Sequence, residues 1–209
     1  MSVLLIALGT AFMAEFPLLN PIGHVPMFFA MTAGDSVAHR RTQALRTSLY
    51  ATLVLVIALL FGQLVLRFFG ISLASLRIAG GLVVAHAAWQ MLTATHKLTA
   101  TEHAEASEKD DISLTPMAIP ILSGPGAIGV AIGLAVHGPG FLETAGYLLG
   151  FCLLGWLTYI CLRYGEPLVD ALGENGVGAV NRILGLLILA IAVELIAQGV
   201  AEFAALHSS

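Results

Sequence analysis

A proline-containing stretch interrupts a long apolar segment near the start of the 209-residue chain, and it reads Pro17-Leu18-Leu19-Asn20-Pro21-Ile22-Gly23. A similar stretch interrupts another apolar segment about 105 residues later and reads Pro120-Ile121-Leu122-Ser123-Gly124-Pro125-Gly126. The same spacing separates Arg77-Ile78-Ala79-Gly80 from Arg182-Ile183-Leu184-Gly185, and each of these opens an apolar run. Landmarks that keep nearly one offset indicate an internal duplication. The alternative is a chance match of short apolar strings.

The composition places the chain in a membrane. It is 58% hydrophobic and 11% charged, with a mean hydropathy of +0.91, whereas soluble domains carry roughly 25% charged residues. Each half holds three apolar runs of about the 20 residues that cross a bilayer. Because three crossings are an odd number, the second half must enter the membrane from the side opposite to the first half. The sequence therefore predicts an all-α membrane protein with six helices in two inverted three-helix repeats, the first helix of each being broken or re-entrant.

The expected domain boundaries follow from the one long polar stretch. Residues 1–95 form the first repeat, residues 96–115 a polar linker, and residues 116–209 the second repeat. The apolar N-terminal run lacks the basic stretch that precedes a cleaved signal, so we expect it to be the first membrane helix. Basic residues favour the cytoplasmic side, and seven of nine lie in the odd-numbered loops. Both termini are therefore predicted to be periplasmic.

The two breaks are the best candidates for a binding site. Proline removes backbone donors and clashes with carbonyl groups one turn back, and unpaired backbone groups cost several kcal/mol each in lipid. Such segments are tolerated where they line a partly wet cavity. A helix that restarts after a break points free N–H groups and a positive dipole end into that cavity, which suits a carboxylate. Asn20 and Ser123, equivalent by the repeat, are expected to face each other there. The alternative is a pair of kinks that only shape packing.

The sequence around the two breaks resembles that of a known family. The run N-P-I-G-H-V-P-M-F at Asn20 to Phe28 and the run M-A-I-P-I-L-S-G-P-G-A-I-G at Met117 to Gly129 resemble the MarC family of bacterial inner-membrane proteins. The resemblance covers essentially the whole chain and implies transport of a small neutral amino acid across the inner membrane. The family motifs map onto Asn20, Pro21, Gly23 and Pro26 in the first break and onto Pro120, Gly124, Pro125 and Gly126 in the second. With Ser123, we expect these breaks to form the substrate-binding site.

Two acidic residues within apolar runs are further candidates, because ionisable groups inside a membrane are usually functional. Glu15 lies just before the first break and could take part in the site or in ion coupling. The alternative for Glu15 is a helix-end carboxylate at the membrane interface. Glu194 lies in the middle of the last run and could carry a proton or face the cavity, or it could pair within the bundle.

The basic and polar residues on the third helix of each half allow more than one interpretation. Arg77 and Arg182 begin these helices and could bind a substrate carboxylate, pair with an acid, or extend to the interface. His86 and Gln90 lie one turn apart, so they could line a polar cavity or satisfy each other.

The leading interpretation is a secondary transporter that exports or exchanges small neutral amino acids by alternating access, with possible proton or sodium coupling. No ATP-binding loop, metal-ligand spacing or cofactor motif occurs, and the net charge of −4 gives no basic patch for nucleic acid. Glycines four residues apart would permit close helix contacts, so a homo-oligomer is possible but not indicated. The alternatives are a membrane scaffold without transport and an intramembrane enzyme with Ser123 as its nucleophile; we expect no enzyme.

Overall fold

A computed structural model describes residues 2–93, 111–135 and 139–207 of the chain. These residues form eight helical elements and, within those ranges, no strand. The expected all-α class is therefore confirmed. In chain order the elements are α1 (Ser2–Leu19), α2 (Val25–Met31), α3 (Val37–Phe68), α4 (Leu73–Thr93), α5 (Ser113–Leu122), α6 (Pro125–Ala135), α7 (Phe141–Tyr164) and α8 (Glu166–His207).

Four helices in the described residues are long and apolar enough to cross a membrane, namely α1, α3, α7 and the Gly178–Ala205 part of α8. The pair α5 and α6, bent by 68°, counts as a fifth span if the two are taken together. The helix α4 has 21 residues, but its mean hydropathy is too low for it to count among these spans, because it carries the polar residues Arg77, His86 and Gln90. The chain is thus a multi-pass membrane protein, and the six-helix inverted repeat remains a prediction.

Both predicted breaks are present. The helix α1 ends at Leu19, and Asn20 follows with a φ of 43°, a left-handed conformation that asparagine tolerates better than most residues. The side-chain Oδ1 of Asn20 accepts a hydrogen bond of 3.0 Å from the Gly23 backbone N–H. In α5 the backbone is extended at Thr115 and Ile119, as expected for residues that precede a proline.

Glycine contacts give the relative directions of the helices. Gly146 lies against Ala7, and Gly150 lies against Ala11, so α1 and α7 run parallel. The second break packs on α3 in the same way. The Ser123 hydroxyl contacts the Ala51 carbonyl, and Ile132 lies against Gly62, so the second break and α6 advance along α3 in the same chain direction as α3.

The other two large interfaces are antiparallel. Gly81 of α4 lies against Ala192 of α8, and Gly185 of α8 lies against Ala88 of α4. On α7, Leu162 shares a buried cluster with Ala44, near the start of α3. Phe151 and Leu154, earlier in α7, share a cluster with α3 residues further along that helix, which are Leu55, Ala58, Leu59 and Leu66.

Polar contacts tie α3 to the start of α5. Arg46 forms an ion pair of 2.6 Å with Asp111, and the buried Gln43 accepts a 3.2 Å hydrogen bond from the Ile112 N–H. Burial raises the pKa of the Asp111 carboxyl, but hydrogen bonds from Ser113 and Arg46 outweigh it, and the pKa lies below its usual value. The predicted linker lies largely outside the described residues; α5 begins at Ser113, inside the stretch that was expected to be linker.

Candidate functional site

A cavity of about 230 Å³ lies between the two breaks. Its wall is mostly apolar, and the polar side chains among its lining residues are Asn20 and His24. The lining residues come from both breaks and from two helices, and they are Leu18, Asn20, His24, Val83, Val84, Ala87, Met91, Pro120, Ile121, Leu122, Gly124, Pro125, Gly126, Ala127 and Ile188. Both interruptions therefore open onto one space.

The first break contributes the C-terminal end of α1. The ring Nδ1 of His24 lies 3.0 Å from the carbonyl oxygens of both Leu19 and Asn20. The carbonyl oxygen of Asn20 also accepts a 3.2 Å hydrogen bond from the His24 backbone N–H. Carbonyl groups at the end of a helix carry the negative end of its dipole. This side of the cavity is therefore suited to a cation or a hydrogen-bond donor.

The second break contributes the N-terminal end of α6, an 11-residue helix that begins at Pro125. The backbone N–H groups of Gly126 and Ala127 lie in its first turn, where no intrahelical acceptor exists, and both residues line the cavity. A helix N-terminus attracts anions. A Cβ on Gly126 would lie 1.8 Å from a methyl carbon of Val84, so only glycine allows this helix start to approach α4 so closely.

The predicted site residues are only partly brought together. Asn20, Gly124, Pro125 and Gly126 line the cavity, whereas Pro21 and Gly23 are buried beside it. Ser123 differs from the expectation: its buried hydroxyl donates to the Ala51 carbonyl oxygen at 3.2 Å. That bond turns the side chain toward α3, so Asn20 and Ser123 do not face each other across the cavity. The binding roles of all these residues remain predictions.

Two polar residues near the cavity were not predicted from the sequence. His24 lies between α1 and α2, one helical turn after Asn20, and lines the cavity. Asn181, at the start of the apolar part of α8, is 1% exposed and lies against Gly23. A carboxamide directly before the repeated arginine motif was a signal that could have been noticed. Within residues 2–93, 111–135 and 139–207, no three histidine, cysteine or acidic side chains are grouped as metal ligands.

Comparison with known proteins shows the family to which the chain belongs. The model of the MarC family of integral membrane proteins matches residues 5–204. The chain belongs to the MarC family. No solved structure matches it.

MarC-family relatives of similar length occur in bacteria and archaea. The chain is 33% identical over 192 residues to the UPF0056 membrane protein YvbG of Bacillus subtilis, covering 90% of this chain and 91% of that one. It is 34% identical over 196 residues to the UPF0056 membrane protein YhcE of Escherichia coli, covering 90% and 89%. It is 33% identical over 211 residues to the UPF0056 inner membrane protein MarC of Citrobacter koseri, covering 94% and 95%.

Glu15 is enclosed in the interior of this MarC-family protein. It lies on the buried stripe of α1 with Ala7, Ala11 and Leu19, and it is fully buried. Neither carboxyl oxygen has a hydrogen-bond partner among the described residues. The Glu15 side chain therefore points into the helix bundle and not toward the surface of the protein. A buried acidic group without partners is costly, which favours a functional role.

The remaining candidates of the MarC-family chain face away from the cavity. Arg77 forms an ion pair with Glu202 of α8, which supports its structural interpretation. His86 bonds to Gln90 at 2.9 Å, and Glu194 accepts a 2.7 Å hydrogen bond from Gln198; all four side chains are exposed. Arg182 is exposed as well. The His86–Gln90 bond agrees with the interpretation in which these two residues satisfy each other. Glu194, which could have faced the cavity, instead lies on the outward face of α8 and is not among the lining residues.

Proposed function

We propose that this MarC-family protein is a secondary transporter of small neutral amino acids, which bind in the cavity between the two helix breaks. The observation that carries the proposal is the pairing of two opposite helix ends in one cavity. The cavity is lined by Leu18 and Asn20 at the C-terminal end of α1 and by Gly126 and Ala127 in the first turn of α6. A ligand with a positive and a negative group suits this arrangement.

An amino acid is such a ligand. Its carboxylate can accept hydrogen bonds from the Gly126 and Ala127 N–H groups, where the dipole of α6 favours an anion. Its ammonium group can donate to the carbonyl groups at the end of α1 and to the side-chain carboxamide of Asn20. Both charged ends then find partners without a charged side chain in the wall.

The size and lining of the cavity favour a small, uncharged side chain. A volume of about 230 Å³ is below the range of roughly 300–1,000 Å³ that holds drug-sized ligands. The part of the wall that α4 and α8 contribute includes Val83, Val84, Ala87 and Ile188, which suit a short aliphatic group. No acidic or basic side chain other than His24 is among the described lining residues, so a charged substrate side chain would lack a partner.

The helix packing supports an inverted repeat and alternating access. If the halves are equivalent, α3 corresponds to α7 and α4 to α8, and both of these pairs run antiparallel. The contact of α1 with α7 is parallel, and so is its counterpart between α6 and α3. A two-fold axis in the membrane plane would produce this pattern. We place the protein in the bacterial inner membrane with both termini periplasmic, as the distribution of basic residues favours.

Coupling to an ion gradient is part of the proposal. Glu15, which is buried one helical turn before the end of α1, is the acidic residue best placed to exchange a proton or to bind sodium during transport. Glu15→Gln should uncouple uptake from the gradient. It should not alter the exchange of unlabelled for labelled substrate, which needs no net ion movement.

The decisive experiment is ligand binding by the purified protein. L-alanine, L-serine and L-threonine should raise the melting temperature in detergent, while L-glutamate and L-lysine should not. Proteoliposomes preloaded with alanine should take up labelled alanine, and Asn20→Gly should lose this exchange. A protein that no amino acid stabilises, and that exchanges none, would instead favour a membrane scaffold.

A further inference from the structure

Asn181 of α8 is a buried carboxamide without hydrogen-bond partners. It is 1% exposed, and both its Oδ1 and its Nδ2 atoms are unpaired among the described residues. Nearly all buried polar side-chain atoms in proteins have at least one partner. An unpaired buried carboxamide lowers the stability of a protein, so Asn181 is a candidate to bind a polar group of a ligand.

The position of Asn181 indicates which group that is. Its Oδ1 lies 2.3 Å from the point that a Cβ atom on Gly23 would occupy, and the Nδ2 atom of Asn20 lies 2.1 Å from the same point. The two carboxamides are thus neighbours that share the space left by the missing side chain of Gly23. Asn20 lines the cavity, and Asn181 lies directly behind it.

The same face of α8 reaches the cavity. Ile188 lies two helical turns after Asn181, on the same side of the helix, and it forms part of the cavity wall. The α8 helix therefore contacts the ligand space at Ile188 and the first break at Asn181. A group bound at the end of α1 is next to the Asn20 carboxamide, and the Asn181 carboxamide lies immediately behind it.

We propose that Asn181 is a second substrate-binding residue, whose carboxamide oxygen accepts a hydrogen bond from the ammonium group of the amino acid. The inference rests on the proposed function. It assigns the ammonium end of the substrate to Asn20, Asn181 and the terminal carbonyl groups of α1, and it leaves the carboxylate end to α6. The preference for an amino acid over the hydroxy acid of the same carbon skeleton then depends on Asn181 of α8.

The test compares L-alanine with L-lactate, which has a hydroxyl in place of the ammonium group. Binding of both is measured by calorimetry on the full-length protein in detergent. In Asn181→Leu the alanine affinity should fall by about tenfold or more, the effect of losing one hydrogen bond to a charged group. The lactate affinity should fall less, by only about threefold, because its hydroxyl donates a neutral hydrogen bond, so the preference for alanine shrinks.

Two further variants separate binding from folding. Asn181→Asp keeps the size and the oxygen acceptor, so it should retain the preference for alanine. Gln198→Leu changes an exposed carboxamide on the same helix and should leave both affinities unchanged. The empty Asn181→Leu protein should melt no lower than the wild type, because the substitution removes unpaired polar atoms. A residue with only a structural role would instead lower the melting temperature when replaced.

The outcomes distinguish the inference from the proposed function. If the wild type binds alanine but Asn181→Leu keeps the full preference over lactate, Asn181 is not a binding residue and the transporter proposal stands. Equal losses for alanine and lactate would also overturn the inference. If the wild type binds neither compound nor any other small amino acid, the proposed function fails and the inference fails with it.

Discussion

Arg77 of α4 forms an ion pair with Glu202 of α8, although 125 residues separate them in the chain. The Arg77 side chain is 12% exposed and the Glu202 side chain 44%. The pair joins the third helices of the two halves. It lies at the end of an antiparallel interface that Gly81 and Gly185 bring into close contact.

Glu202→Gln should destabilise the protein more than Arg77→Gln does. Removing the acid leaves a largely buried guanidinium without its partner, whereas removing the arginine leaves a carboxylate that solvent can reach. We expect a loss of about 1–3 kcal/mol for Glu202→Gln, the usual cost of an unpaired buried group, measured by unfolding in mixed micelles. The double variant should recover part of this loss. Equal effects of the two single variants would contradict this account of the pair.

Asn20→Gly should abolish transport and leave expression intact. Glycine adopts the φ of 43° found at this position without steric cost, so the break keeps its shape while the carboxamide is lost. Asn20→Ala should lose transport as well, and it should also melt lower because alanine is strained at that φ. Uptake of labelled alanine and melting curves measure the two effects. Wild-type uptake by Asn20→Gly would show that the carboxamide has no role.

Gly126→Ala should push α6 away from α4. The added methyl group would lie 1.8 Å from the Val84 side chain, and valine has little rotational freedom in a helix. Overpacking of this kind costs about 1–3 kcal/mol, and the displaced helix start should lower substrate affinity. Adding Val84→Ala makes room and should restore both stability and binding. A double variant as impaired as Gly126→Ala alone would mean that the clash is not the cause.

Asp111 should make stability depend on pH in the acidic range. Its folded pKa lies below the usual value, so its contribution is fully present above the unfolded pKa of about 3.9. The contribution is lost as the pH falls toward the folded pKa. The melting temperature of Asp111→Asn should therefore lie below that of the wild type at neutral pH, and the two should converge below about pH 4. A constant difference down to the lowest pH would argue against the ion pair with Arg46.

Reporter fusions test the orientation of the chain. A periplasmic reporter after Ser209 should be active and a cytoplasmic reporter inactive, because the odd-numbered loops carry most of the basic residues. A reporter inserted between α2 and α3, just before Arg40 and Arg41, should give the opposite result. Cytoplasmic activity at the C-terminus would invert the topology but leave the antiparallel packing of the halves unaffected.

The breaks could be predicted from the sequence because their causes are local. Proline and glycine act on the backbone where they occur, so Asn20, Pro21, Gly124 and Pro125 were placed at helix ends before any packing was known. The outward positions of His86 and Glu194 could not be predicted in this way. A membrane helix is apolar on the side facing lipid and on the side facing its neighbours, so the spacing of apolar residues does not tell these faces apart.

The contacts of Ser123 and Asn181 depend on helices distant in sequence. The Ser123 hydroxyl turns toward α3 because the Ala51 carbonyl is within reach, and Asn181 meets Gly23 only when α8 crosses the first break. The internal repeat predicted that Asn20 and Ser123 are equivalent, but it did not predict that each finds a different neighbour. These details require the tertiary structure.

The interlocked packing of the two halves has a consequence for biogenesis. The helix α1 rests on α7, and the first break meets α8 at Asn181, so the surfaces that cover the first break are synthesised last. Until they are inserted, the polar side chains of Glu15 and Asn20, which are buried in the folded protein, must be hydrated or shielded by other proteins, since lipid cannot satisfy them. Insertion of the early helices and completion of their fold are therefore separate events. For the same reason, the two halves produced as separate chains should be stable only when both are present in one membrane.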